Sequence, residues 1–192
     1  RITHAQSFTE EKYSRIMWNY LETLSRFGPR YVGTKGYEKT LDLIKQVGAE
    51  FADDVLEHPF AIKRQNGEQM QMINIEFIFN GIGGDRPILV GAHYDTRPFA
   101  DKETNPRLRN LPIIGANDGG SGTAILLGLA RYLKEHPLSQ PVRLMFFDGE
   151  DFGKSGAGEM LIGSNYHTSQ LEKLPVEQWP LAVIIIDMVG DK

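Results

Sequence analysis

The spacing of apolar residues predicts that the chain begins with two amphipathic helices. Residues 9–27 place apolar side chains three or four positions apart, and Gly28-Pro29 ends the pattern. After a loop the same spacing resumes, with Leu41, Ile44 and Val47 on the inward face. Both segments are therefore predicted to bury one side against a core and to expose the other.

The next part of the chain changes to strand patterns. Residues 52–64 and 71–80 predict two strands, and the turn at Gln65-Asn66-Gly67 between them favours a hairpin. Later apolar runs show little polar alternation, which is typical of strands covered on both faces. These runs occupy residues 87–92, 142–147 and 181–187.

Helical spacing returns between the later runs. It is regular over residues 126–133 and weaker over residues 157–171. Antiparallel strands followed by strand–helix–strand units predict an α/β fold with three layers, αβα, around a mixed, mostly parallel central sheet. We predict a single domain over residues 1–192 with its C-terminal part missing, because the chain stops directly after a run that indicates a central strand.

Composition and charge exclude several functional classes. The chain has 21 basic and 25 acidic residues and a net charge of -4, so it offers no polybasic surface for nucleic acid. The absence of cysteine excludes disulfides, thiolate nucleophiles and cysteine-ligated zinc. No apolar stretch has the length of a membrane span. Because residue 1 is Arg rather than Met, we expect that the natural N-terminus and any targeting segment have been removed.

Histidine and acidic residues follow the apolar runs at several places. In α/β sheets the C-terminal ends of the strands meet at one edge, where ligands bind. Acids gathered there are costly to desolvate unless a cation offsets them. The sequence therefore predicts a site for a hard cation. The residues concerned are His93, Asp95, Asp118, Glu150, Asp151 and Asp187.

Each of these positions also has a structural explanation. Asp118 could be the N-cap of the following helix, although the small residues after it indicate that something approaches closely. His93 could pair with its neighbouring acid for structural reasons alone, and Glu150-Asp151 could be ordinary loop acids. Their recurrence at successive strand ends favours the functional interpretation. Adjacent acids suit two roles, one binding metal while the other moves protons.

Taken together, the motifs resemble the zinc aminopeptidase and glutaminyl cyclase superfamily. The resemblance covers residues 28–190 and follows one order along the chain. Within the superfamily, Arg97-Pro-Phe-Ala-Asp101 and Glu150-Asp-Phe-Gly153 look most like bacterial glutaminyl-peptide cyclotransferases. The motifs are Gly28-Pro-Arg-Tyr-Val-Gly-Thr-Lys-Gly36, His93-Tyr-Asp-Thr96, Gly115-Ala-Asn-Asp-Gly-Gly-Ser-Gly122, Phe146-Phe-Asp-Gly-Glu-Asp-Phe-Gly153 and Asp187-Met-Val-Gly190.

The resemblance implies zinc as the cofactor and a role for each site residue. Asp118 and Asp151 would be zinc ligands, and Glu150 would be the catalytic acid and base. Asp187 would be a catalytic carboxylate in a cyclase or a ligand of a second zinc in an aminopeptidase. His93 would be a metal ligand only in the aminopeptidase case, at that second zinc. The superfamily's last ligand, a histidine, is expected beyond the end of this chain.

The predicted function is zinc-dependent cyclisation of the N-terminal glutamine of peptides to pyroglutamate, with release of ammonia. Two alternatives stay open: a di-zinc aminopeptidase, and a truncated, catalytically silent binding domain. The predicted partner is a peptide with a free N-terminus, and self-association through an incomplete C-terminal face is a further expectation. The superfamily implies a periplasmic or secreted location, with the signal removed.

Overall fold

The computed structural model describes residues 4–64, 67–84, 86–153 and 159–190. Within these ranges the helices are α1 (His4–Phe27), α2 (Lys35–Phe51), α3 (Gly120–Glu135) and α4 (Ile162–Leu171), with a 3₁₀ turn at Val176–Gln178. The strands are β1 (Asp54–Lys63), β2 (Gln69–Phe79), β3 (Ile88–His93), β4 (Val142–Phe147) and β5 (Ala182–Ile185). No helix in the described ranges is long and apolar enough to cross a bilayer.

The strands form one mixed sheet in the order β1-β2-β4-β3-β5. β1 and β2 pair antiparallel, as the predicted hairpin requires, although Gln65 and Asn66 of its predicted turn lie outside the described residues. β2 also runs antiparallel to β4. β3 is parallel to both β4 and β5, so the C-terminal ends of these strands meet at one edge of the sheet.

Helices cover both faces of the sheet, which confirms the predicted three-layer αβα fold. Leu144 and Phe146 of β4 face α2 and α3, in a core that includes the buried Ile44. Met145 and Phe147 alternate with them and face the other side, as the pleat of a strand requires. There α4 packs on the sheet, with the His167 ring edge-on to Phe147 at 5.8 Å between ring centres.

The last strand, β5, lies at the edge of the sheet in the part of the chain that the structure describes. The run 181–187 indicated a central strand in a domain whose C-terminal part is missing, and an incomplete face leaves such a strand exposed. Val183, Ile184 and Ile185 are each more than half exposed. An apolar run indicates that a strand can be buried, but it does not indicate the position of that strand in the sheet. The weaker helix predicted over 157–171 starts at Ile162, and residues 157 and 158 lie outside the described ranges.

Candidate metal centre

Connections at the C-terminal edge of the parallel strands bring the predicted residues together. His93 is the last residue of β3, and Asp118 lies just before α3. Glu150 and Asp151 follow β4, and Asp187 follows β5. Residues far apart in the sequence therefore share one small region because the fold aligns the ends of their strands.

His93 lies at the centre of this group and is buried. Its Nδ1 is 3.3 Å from Asp95 Oδ1, and its Nε2 is 3.1 Å from Asp118 Oδ1 and 3.4 Å from Asp187 Oδ1. Nε2 is not aligned for a hydrogen bond to either acid, so it is a buried nitrogen without a hydrogen-bond partner among the described residues. Burial opposes a charge on the ring, but the neighbouring carboxylates of Asp118 and Asp95 outweigh it and raise the pKa of His93 to about 11.

Asp118 and Asp151 lie near enough for each carboxyl group to shift the pKa of the other. Contact with His93 lowers the pKa of Asp118. Burial, followed by the charge of Asp118, raises the pKa of Asp151 to about 6. Two carboxylates this close repel each other unless a cation lies between them. Asp118 is thus placed to face both Asp151 and the pair formed by His93 and Asp187.

Glu150 is half-buried beside these acids. Burial raises its pKa to about 7; His93 opposes this rise, and Asp151 adds to it. The backbone at this point is fixed by the buried Asp95, whose Oδ1 and Oδ2 accept the N–H groups of Glu150 and Asp151, each at 3.0 Å. A carboxyl group that titrates near neutral pH and is held in place is suited to proton transfer.

Arg97 joins the centre through a contact that the sequence did not predict. Its Nη1 donates to Asp151 Oδ1 at 2.8 Å. Its Nε and Nη2 donate to the two oxygens of Asp101, at 2.9 and 3.2 Å. The spacing of four between Arg97 and Asp101 was a signal for their ion pair, but nothing local indicated the bond to Asp151.

Arg30 is a second functional neighbour that sequence reasoning missed. Its side chain is completely buried and donates to three backbone carbonyls, those of Tyr94 (3.0 Å), Ile114 (2.7 Å) and Gly115 (2.8 Å). Burial lowers the pKa of Arg30 to about 10, and the charge of Asp95 limits that fall. The guanidinium ties the loop after α1 to the loops that carry the metal-centre residues.

The donor set fits zinc. Imidazole nitrogen and carboxylate oxygen are both zinc ligands in proteins. One donor atom each from His93, Asp118 and Asp187 lie within 4.8 Å of one another, and among the described residues this is the one group of its kind. The unpartnered Nε2 of His93 and the paired carboxyls of Asp118 and Asp151 are features that a divalent cation would satisfy.

Comparisons with known proteins agree with this chemistry. The profile of peptidase family M28 matches residues 74–192. Aminopeptidase YwaD of Bacillus subtilis (strain 168) is 32% identical over 103 residues, which are 54% of this chain and 18% of that protein.

Two solved structures share the fold. Porphyromonas gingivalis glutaminyl cyclase is 32% identical with a TM-score of 0.82, and the match covers 93% of this chain and 62% of that one. A Zn-dependent exopeptidase from Parabacteroides distasonis is 26% identical with a TM-score of 0.81, at 93% and 62% coverage. The chain thus spans less than two thirds of the length of these relatives.

Proposed function

Because the chain belongs to peptidase family M28 and shares its fold with bacterial glutaminyl cyclases and zinc exopeptidases, we propose that it is a zinc-dependent glutaminyl-peptide cyclotransferase. Such an enzyme joins the α-amine of an N-terminal glutamine to the side-chain carbonyl carbon and releases ammonia. The observation that carries the cyclase in particular is the 97–101 segment, which resembles bacterial glutaminyl-peptide cyclotransferases and whose Arg97 Nη1 donates to Asp151 at 2.8 Å, next to the half-buried Glu150. Since the chain covers part of its relatives' length, the activity is proposed for the protein as its gene encodes it.

Each residue of the centre has a role in this reaction. Asp118 and Asp151 would hold zinc, which when bound acts as a Lewis acid toward the γ-carbonyl of the glutamine. Glu150 takes a proton from the attacking α-amine and returns one to the departing ammonia, and a pKa of about 7 allows both transfers. Asp95 holds the backbone of Glu150 and Asp151 in place. Asp187 would orient the substrate amine.

A di-zinc aminopeptidase is the second candidate, and a specific observation favours it. His93, Asp118 and Asp187 form a group that could hold a cation. His93 and Asp187 would then hold a second zinc ion beside the one held by Asp118 and Asp151, and Glu150 would be the base for the water that attacks the first peptide bond. A third possibility, a silent binding domain, would hold a peptide without converting it.

Metal content and product analysis separate these candidates. Zinc per chain is measured by mass spectrometry on the protein after dialysis, and products are measured with a Gln-initiated and a Leu-initiated peptide. One zinc with release of ammonia supports the cyclase. Two zinc ions with release of a free amino acid would assign the aminopeptidase, and bound peptide without turnover would assign the binding domain.

We also propose a substrate class, a surface for self-association and a cellular location for this protein. The substrate is a peptide with a free N-terminus, which the acidic metal centre would attract through the charged amine. The exposed apolar side chains of β5 support self-association through that edge of the sheet. A periplasmic or secreted location is proposed from the family relationship and is tested by fractionating the native host.

A further inference from the structure

We propose that a pocket beside the metal centre binds the side chain of the second residue of the substrate peptide and selects an apolar one. The inference rests on the proposed function, since it takes the edge at Asp118 and Asp151 as the reacting centre. The pocket has a volume of about 240 Å³. Its walls include Tyr31, Val32, Met70, Pro98, Phe99 and Phe152.

The position of the pocket follows from the chain itself. Tyr31, Pro98 and Phe152 each come directly after a residue of the network around the metal centre. Those preceding residues are Arg30, Arg97 and Asp151. Of these three, Asp151 belongs to the centre itself, and consecutive Cα atoms are about 3.8 Å apart, so the wall formed by Phe152 begins one residue from the centre. An extended peptide advances by a similar distance per residue, and its second side chain can therefore reach the pocket while its N-terminus reacts.

The lining indicates the class of side chain. Phe152 is buried, and Tyr31, Val32 and Met70 pack in the same apolar cluster. The charged residue at the rim is Arg64, whose guanidinium lies 4.9 Å from the centre of the Phe152 ring.

The positive charge of Arg64 is paired with two acidic side chains. Its Nη2 is 3.1 Å from Glu159 and its Nη1 is 3.4 Å from Glu68. Seven of the nine lining residues are apolar or aromatic, Asn110 is a polar one, and the charge of Arg64 is compensated. Leucine and phenylalanine side chains fit this chemistry better than aspartate, lysine or glycine.

The expected selectivity follows from burial of the side chain. Moving a leucine or phenylalanine side chain from water into such a pocket strengthens binding by about tenfold or more. We therefore expect a peptide beginning Gln-Leu to bind about tenfold or more tightly than one beginning Gln-Gly.

Titration calorimetry with the zinc-loaded protein tests the pocket. The Glu150→Gln background prevents turnover, and the ligands are the amides of Gln-Leu and Gln-Gly. Met70→Trp fills the pocket and should bring the ratio of the two affinities close to one. Gln71→Trp adds the same side chain at the next, exposed position of β2 and should leave the ratio as it was. If Met70→Trp fails to fold, Met70→Ala removes pocket contacts and should lower the ratio as well.

Equal affinities for the Gln-Leu and Gln-Gly amides in the parent protein would refute the proposed pocket. An affinity ratio that stays unchanged in both Met70 variants would refute it as well. The reaction is tested separately, by ammonia release with Glu150 intact. Ammonia release without a preference for leucine refutes the proposed pocket but still supports the cyclase activity. A leucine preference that extends to Ala-Leu over Ala-Gly, without ammonia release, supports the pocket and refutes the cyclase.

Discussion

The carboxylates of the metal centre lie together but have different neighbours, and this separates their roles. Asp95 is buried and uses both oxygens to accept backbone N–H groups, so it positions the residues that follow β4. Asp151 accepts a hydrogen bond from the guanidinium group of Arg97. Glu150 is half-buried and titrates near neutral pH. Glu150 combines a pKa of about 7 with a place beside Asp118 and Asp151, the proposed zinc ligands. Among the described residues it has neither a guanidinium partner nor a backbone-holding role, so it is the carboxyl best suited to proton transfer.

Replacing Glu150 by Gln should remove turnover and leave zinc bound. The amide keeps the shape of the side chain but cannot accept a proton, and general acid–base catalysis contributes roughly 10²–10⁴-fold. Zinc content and kcat are measured on the same sample, with Glu172→Gln on the exposed end of α4 as control. A kcat within a few-fold of the parent would exclude Glu150 as the acid and base. Loss of zinc would make it a ligand instead.

Asp148 should make stability depend on pH. Burial, together with the charge of Asp95, raises the pKa of Asp148 from 3.8 to about 7. A carboxyl whose folded pKa is raised binds more protons in the folded state, so stability falls as pH rises from about 4 to about 7. The loss amounts to about 4 kcal/mol, at about 1.4 kcal/mol per tenfold change in proton affinity.

The test compares Asp148→Asn with the metal-free parent by urea unfolding across that pH range. The amide oxygen can still accept from Tyr37 Oη and the Ile73 N–H, which the carboxylate binds at 2.6 and 2.9 Å. The variant should gain stability relative to the parent as pH rises and reach a plateau above pH about 7. Asp42→Asn, at an exposed position of α2, controls for charge removal. A pH-independent difference would show that Asp148 does not titrate in this range.

The clustering of the candidate metal-binding residues could be predicted from the sequence, because they follow apolar runs that end at one edge of the sheet. The ends of parallel strands are brought together by the fold, so His93, Asp118 and Asp151 meet without any local signal linking them. The contacts of Arg30 could not be predicted in this way. Its acceptors are backbone carbonyls, which every residue carries, and only the folded loops show which of them face the guanidinium.

At the scale of elements, the start of α3 holds the segment after β5 that carries Asp187. Asn117 Oδ1 accepts the Gly190 N–H at 2.7 Å, and Ser121 Oγ accepts the Val189 N–H at 3.2 Å. The helix approaches this closely because its first turn consists of small residues. The contacts fix where Asp187 meets the rest of the centre.

Gly122→Ala should push α3 away from β5. A methyl group at Gly122 would lie 2.7 Å from the Ile186 carbonyl oxygen and 2.8 Å from Ala92 Cβ, and neither neighbour can turn aside. We expect a loss of about 1–3 kcal/mol in the free energy of unfolding, as for overpacking in a core, together with reduced turnover. Gly83→Ala is the control, because its methyl would meet no atom within 4 Å. Equal thermal stability and turnover in the two variants would contradict this account of the α3–β5 contact.

The elements themselves were largely predictable, since helical and strand spacing reflect local burial. Ile44 and Val47 of α2 are buried as their spacing predicted. The order of strands was not predictable, because the run 181–187 has the same composition whether it is central or at an edge. The resemblance to the zinc aminopeptidase and glutaminyl cyclase superfamily is confirmed by the family match and by the solved neighbours.

At the scale of the whole described chain, the sheet over residues 54–185 has two different edges. β1 is an edge strand with several polar and charged residues. β5 is the other edge, and its residues are apolar and exposed. Exposed apolar edge strands promote pairing between chains, because their backbone N–H and C=O groups are open on one side. The asymmetry therefore predicts that association between chains occurs through β5.

The 192-residue chain should accordingly self-associate. Val183 and Ile185 point to one face of the β5 edge and Ile184 to the other, so pairing would cover apolar surface on both faces. Ile184→Lys should shift the chain toward monomer in sedimentation velocity experiments, because a charge on an edge strand opposes edge-to-edge pairing. Ile82→Lys makes the same change at an exposed turn and should sediment like the parent, since Ile82 is 82% exposed and lies outside the sheet. A parent chain that is monomeric across the whole concentration range would show that β5 does not act as an interface.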